Sequence, residues 1–189
     1  MKSPFYFIVK PHKNKRYNNT VDWGDITFIT NTSKEDFMFS NRQALVLETP
    51  INYDGPIKKG DKLLVHHNVF KFFNDMKGRE KSGKSFLKDD TFFLDDSQFY
   101  AYKKDDNTDW TCVQDYCFVK PVASRDYYVK NFSKEEPLTG IIKYSNEQLK
   151  ALGVKEGDEV CFEPHSEYEF NVEGEKLYRM YTRNITMTL

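Results

Sequence analysis

Apolar positions along this chain come in short runs, each bounded by turn-forming or charged residues, which is a strand pattern rather than a helical one. Ala44-Leu45-Val46-Leu47, Lys62-Leu63-Leu64-Val65, Asp115-Tyr116-Cys117-Phe118-Val119 and Thr139-Gly140-Ile141-Ile142-Lys143 are such runs. Gly60-Asp61 and Gly157-Asp158 mark sharp reversals, where glycine supplies the positive φ that other residues avoid. The spacing predicts one short helix, Asn146 to Leu152, with Leu149 and Leu152 on one face and Gly153 as its stop. A parallel α/β sheet would need crossover helices, and none can be drawn. The pattern therefore predicts an all-β fold of small sandwiches or barrels.

The runs recur in order. Phe7-Ile8-Val9-Lys10-Pro11 is echoed by Cys117-Phe118-Val119-Lys120-Pro121, and Ile57-Lys58-Lys59-Gly60-Asp61 by Val154-Lys155-Glu156-Gly157-Asp158. Thr91-Phe92-Phe93-Leu94 corresponds to Leu177-Tyr178-Arg179-Met180, and each is followed by an apolar pair, Phe99/Tyr100 and Ile185/Met187. Such repetition is sought first because it decides the architecture. From Val9 to Gly60 is 51 positions, but from Val119 to Gly157 only 38. Extra residues there, and again after Val65, predict loop insertions in the first copy. The charged stretch Lys103-Lys104-Asp105-Asp106-Asn107 reads as a linker, dividing the chain into residues 1–104 and 108–189.

Composition narrows the function. Of 189 residues 16% are aromatic, enough for a core in each half. Lys and Arg total 28 against 29 Asp and Glu, a net charge of −1, so nucleic acid and anionic membrane are not expected partners. The cysteines Cys112, Cys117 and Cys161 lack metal or redox spacing and read as free thiols. With no signal-peptide pattern and no run long enough to span a bilayer, the expected location is cytoplasmic.

The second copy carries Gly153-Val154-Lys155-Glu156-Gly157-Asp158-Glu159-Val160-Cys161-Phe162, then Val172-Glu173-Gly174-Glu175-Lys176-Leu177-Tyr178-Arg179-Met180 and Asn184-Ile185. In this order the segments resemble the GroES co-chaperonin family over about 75 residues, with a looser likeness across residues 5–102. The resemblance implies two tandem GroES-like small β-barrels with long mobile loops. It also implies a co-chaperonin role: loops dock on a GroEL-type chaperonin, the chains form a homo-oligomeric ring, and the lid assists ATP-dependent folding. Such loops carry a short apolar tripeptide that orders on binding. Tyr127-Tyr128-Val129 stands at that place in the second copy, and Ile26, Thr27, Phe28 and Ile29 in the first, with Phe37-Met38-Phe39 as a competing apolar spot. Neither copy has the family's usual Ile-Val-Leu. The alternative is a GroES-like interaction module without chaperonin docking.

One motif points elsewhere. Gly78-Arg79-Glu80-Lys81-Ser82-Gly83-Lys84-Ser85 satisfies G-x-x-x-x-G-K-[ST], the signature of a phosphate-cradling loop. That cradle needs a helix starting at the loop, and too few residues follow Ser85 for one, so a solvated insertion loop is expected and a P-loop nucleotide-binding protein is the lesser alternative for the function. His66 and His67 follow a strand, where neighbouring side chains diverge, and His12 and His165 lie far away, so no metal site is expected. No nucleophile elbow occurs, and Cys161 falls within a predicted core strand. The sequence thus predicts no catalytic residues and no cofactor.

Overall fold

A computed structural model of the chain describes residues 3–30, 37–124 and 135–189. Among them strand predominates, and the α-helix has five residues. The fold is all-β. The chain divides into two units, Met1–Asp109 and Trp110–Leu189.

The first unit contains β1 (Phe7–Pro11), β2 (Thr20–Trp23), β3 (Ile26–Ile29), β4 (Gln43–Glu48), β5 (Lys62–Val65), β6 (Phe72–Asn74), β7 (Glu80–Ser82), β8 (Phe86–Lys88), β9 (Thr91–Leu94) and β10 (Phe99–Lys103). Six of these build an antiparallel sheet in the order β10-β5-β4-β1-β9-β8, while β2–β3 and β6–β7 are separate hairpins. The second unit contains β11 (Thr111–Cys112), β12 (Tyr116–Ala123), β13 (Glu135–Tyr144), α1 (Glu147–Ala151), β14 (Glu159–Phe162), β15 (Tyr168–Val172), β16 (Glu175–Tyr181) and β17 (Ile185–Thr188). Its sheet runs β17-β14-β13-β12-β16-β15, the same order strand for strand. Among the described residues no pairing joins β8 to β10 or β15 to β17.

The likeness extends to register. Val9, Lys10 and Pro11 face Val46, Leu45 and Ala44; Val119, Lys120 and Pro121 face Ile142, Ile141 and Gly140. A bulge interrupts the ladder between Ile8 and Val9, and between Phe118 and Val119. On the other side Phe7, Ile8 and Val9 pair with Leu94, Phe93 and Phe92, as Cys117, Phe118 and Val119 pair with Met180, Arg179 and Tyr178. A bulge at one position re-aims the strand and increases its twist, so its recurrence gives both sheets the same local bend.

Each turn before β5 and β14 is held by the same bonds. Gly60 and Gly157 take φ of +95° and +92°. The Asp61 carboxylate accepts from the Lys58 backbone N–H at 2.8 Å, and that of Asp158 from Lys155 at 2.7 Å. The glycine N–H then donates to the carbonyl of Val46 or Ile142, whose own N–H donates back to the aspartate carbonyl. Five backbone groups are satisfied by these three bonds at each reversal.

Central strands β1 and β12 are buried through Phe7-Ile8-Val9 and Tyr116-Cys117-Phe118-Val119, so both faces of each are covered. In the second unit Cys117 and Val119 join Ile142, Leu149, Val160, Phe162 and Met180 in one cluster. Phe118, which points the other way in the alternation of the strand, packs edge-on against Phe170 at 5.4 Å. In the first unit Phe7 meets Phe99 and Tyr53, and Phe92 meets Phe70 and Phe86. Each fully buried aromatic contributes about 2–3 kcal/mol by removal from water.

Several expectations need correcting. Helix α1 starts as predicted, with the Asn146 side chain accepting from Leu149 N–H at 2.8 Å, but only Leu149 is buried. Leu152 is the C-cap and 75% exposed, because the helix ends before that side chain turns inward. Cys161 lies in β14 but alternates outward between buried Val160 and Phe162. Among the described residues, the first copy's insertions hold two hairpins, β2–β3 and β6–β7, where loop was expected. The stretch 103–107 begins inside the fold, since Lys103 is buried as the last residue of β10. Beyond it, the Asp105 carboxylate accepts from Asn107 and Thr108 N–H in a local turn.

Asp61→Ala and Asp158→Ala should each destabilise their unit by about 1–2 kcal/mol, since each strands a backbone N–H that the carboxylate now satisfies. Urea unfolding should show lower midpoints, with the Asn substitutions milder. Unchanged midpoints would mean that the turns are held by something other than these carboxylates.

Candidate docking site

Between β1 and β4 the chain leaves the sheet, forms β2 and β3, and returns. Thr20-Val21 and Trp23 on one side, and Ile26-Thr27-Phe28-Ile29 on the other, are β-branched or aromatic residues flanking a two-residue Gly24-Asp25 turn. Gly24 takes φ +62°, as Gly-first hairpin turns require. Asn41 ties the base: its side-chain NH2 donates to the carbonyls of His12 (2.9 Å) and Lys15 (2.6 Å), and its backbone N–H to Arg16. Thr30 closes the hairpin by donating backbone N–H and hydroxyl to the Asn19 carbonyl. Below it, the Tyr17 hydroxyl bonds both backbone groups of Phe72.

The arm built on this base is amphipathic. Val21 pairs with Phe28 and Trp23 with Ile26, so these four side chains share one face, with the Trp23 and Phe28 rings 6.5 Å apart. Their exposure runs from 48% at Phe28 to 80% at Trp23. Thr20, Thr27 and Ile29 lie on the opposite face. A two-stranded hairpin is marginal unless its apolar face packs against something. A contiguous apolar surface of this kind is the mark of a site for another molecule.

Of the residues read from the sequence, Ile26 and Phe28 lie together on the apolar face, whereas Thr27 and Ile29 turn away. Val21 and Trp23 complete the face, and reading the segment as a mobile stretch missed them. The signal was there: alternation on both sides of a two-residue turn beginning with Gly is a hairpin pattern. Tyr127, Tyr128 and Val129 lie outside the described residues. Phe37 is engaged within the unit, 5.7 Å from the His67 ring and under the Arg42 guanidinium at 5.6 Å.

The stretch 78–85 does not form a phosphate cradle. Glu80–Ser82 is strand β7, paired with β6 across a turn that the Asp75 carboxylate caps through the N–H groups of Lys77 and Arg79. Ser85 leads into β8 rather than into a helix, so no helix N-terminus faces the loop. Gly83 has a packing reason: a Cβ there would stand 2.8 Å from the Lys71 carbonyl oxygen.

His66 and His67 lie beyond the end of β5, not within it, so their rings do not diverge but stack at 4.1 Å. Among the described residues no group of three or more His, Cys, Asp or Glu could hold a metal ion, and no helix is long and apolar enough to cross a membrane. The three cysteines are unpaired, and burial pushes the Cys117 thiol up to about 12.

Neither protein-family models nor curated proteins yield a match to this chain.

Two measurements check this description. Trp23 is exposed and Trp110 buried, so acrylamide quenching should resolve two fluorophores, and Trp23→Ser should remove the accessible one while changing stability by less than about 0.5 kcal/mol. A larger loss would show the apolar face to be covered within the chain. The His67 imidazole is held down, from its ordinary 6.5 to about 4, first by burial and then by the positive charges of His66, Arg42 and Lys71. The unfolded chain therefore takes up this proton first as pH falls. Stability present above pH 6.5 should be lost progressively toward pH 4, and the loss should be smaller in His67→Asn.

Proposed function

We propose that this chain is a two-module co-chaperonin, each unit a small GroES-like barrel, which caps a GroEL-type chaperonin and assembles into a ring. The observation that carries the reading is the β2–β3 arm, whose four apolar side chains Val21, Trp23, Ile26 and Phe28 are exposed on one face of a hairpin. The repeated six-strand order and register support it, since a repeated module presents the same frame twice per chain. By its place in the sequence, Tyr127-Tyr128-Val129 is the second unit's counterpart of the arm.

Docking would bury Val21, Trp23, Ile26 and Phe28, each worth roughly 1.5–3 kcal/mol when fully removed from water. Most of that is offset by the freedom lost on association, so a single arm binds weakly. Several arms on one ring bind together through effective concentration, yet each can still let go. A lid that cycles with ATP needs that combination. A second reading, an interaction module without chaperonin docking, draws on the absence of Ile-Val-Leu from both copies.

Native mass spectrometry of the chain with a GroEL-type chaperonin, with and without ATP or ADP, tests the proposal. The expected result is nucleotide-dependent capping that is lost in Trp23→Ser/Phe28→Ser and retained in Thr27→Ala, which changes the opposite face. Tyr128→Ser reports on the second unit. A stable ring of this chain that ignores chaperonin under every nucleotide condition would replace the lid by the interaction module.

A further inference from the structure

A second feature of the first unit shares no residue with the arm. At the foot of the β6–β7 hairpin opens a pocket of about 630 Å³, lined by His66, Asn68, Lys71, Phe73, Lys84 and Ser85, with Ser97 and Gln98 along one side. That volume falls within the usual range for small-molecule sites, roughly 300–1,000 Å³. The lining has two lysines and no carboxylate, on a chain whose charges otherwise nearly cancel. Neither Lys71 nor Lys84 has an ion-pair partner among the described residues.

The two lysines are brought together by backbone contact. The Gly83 N–H donates to the Lys71 carbonyl at 3.0 Å, and only a residue without Cβ permits that approach. Lys84 therefore emerges beside the segment that carries Lys71. Ser85 is 3% exposed, and its Oγ accepts from the Gln98 side-chain NH2 at 3.2 Å. Its own O–H finds no acceptor among the described residues. Gln98 is itself fixed, since its carbonyl oxygen accepts from Asp95 N–H at 2.9 Å. A buried hydroxyl with an unused donor, in a pocket also lined by two lysines that have no ion-pair partner among the described residues, is the donor set of an anion site. The field agrees: after burial, the positive neighbours His66, Arg42 and Lys71 hold the His67 imidazole neutral. On the pocket wall the Phe73 ring is exposed.

We propose that this pocket binds a small organic phosphate, of the nucleoside monophosphate class, through side chains rather than through a backbone cradle. Lys71 and Lys84 meet the phosphate oxygens, the Ser85 hydroxyl donates to one of them, and the Phe73 ring stacks on the planar base. The G-x-x-x-x-G-K-S match is then accidental as a loop motif, while its last three residues still serve an anion. Gly83 permits the close approach, Lys84 brings charge and Ser85 a proton.

Isothermal titration calorimetry of the full chain at low salt, with AMP and with inorganic phosphate as separate probes, tests the site. AMP should bind saturably and more tightly than inorganic phosphate. Lys71→Gln and Lys84→Gln should each weaken AMP by about tenfold or more, with circular dichroism unchanged. Phe73→Leu should bring AMP down to the affinity of inorganic phosphate. Equal binding of the two probes by the unaltered chain would overturn the nucleotide class and leave a site for phosphate alone. No heat from either probe, or affinities unmoved by both lysine substitutions, would overturn the site itself.

Discussion

Both units depend on one small device, the aspartate that follows a positive-φ glycine and turns its carboxylate back onto the N–H three residues earlier. That carboxylate holds the reversal shut, and the glycine N–H and aspartate carbonyl then bracket Val46 in one unit and Ile142 in the other. Strand β5 is thereby set against β4, and β14 against β13, in one register. Because side chains alternate faces, a slip of one residue in β14 would carry Val160 from the core to the more exposed face. The remaining ladders are laid on that first pairing: β10 upon β5, and β17 upon β14, each with one bulge at the equivalent place.

Such a frame tolerates additions that leave its pairings intact. The first unit inserts a hairpin between β1 and β4 and another between β5 and β8, and the six-strand order does not change. The two insertions differ in what they present. The β2–β3 arm is anchored by the buried Asn41 and by Tyr17 but offers solvent an apolar face. The β6–β7 hairpin offers charge, and the close approach of Gly83 to Lys71 makes a concave wall at its base. One unit thus carries a convex apolar surface and a concave basic one, the shapes that suit a protein partner and a small anion respectively.

The stretch Gly78–Ser85 illustrates how a motif and its chemistry can separate. The letters of a phosphate loop are satisfied, yet residues 80–82 are extended and paired with β6. A cradle of N–H groups needs successive amides pointing to one centre, and strand pairing directs them alternately to either side. What survives is side-chain chemistry, because Lys84 and Ser85 keep their charge and their proton whatever the backbone does.

Much of the framework was legible in the sequence because it is local. Alternating apolar runs, glycine at positive φ and the Asn146 cap act within a few residues, so the strands, the reversals and the start of α1 could be read directly. The repeat could be read because equivalent ladders need equivalent residues in the same order. What the sequence left open depended on distant partners. Whether Leu152 or Cys161 faces inward is decided by how far a helix runs and where a strand lies in its sheet. Ile26 and Phe28 were visible as apolar residues, but their union with Val21 and Trp23 on one face follows from the pairing of two strands across the Gly24-Asp25 turn. The anion pocket joins residues 66–73, 83–85 and 97–98, segments that only hairpin closure and the Gly83–Lys71 contact bring to one place. Local chemistry determined which elements form; the free energy of packing distant segments together decided which faces remain open.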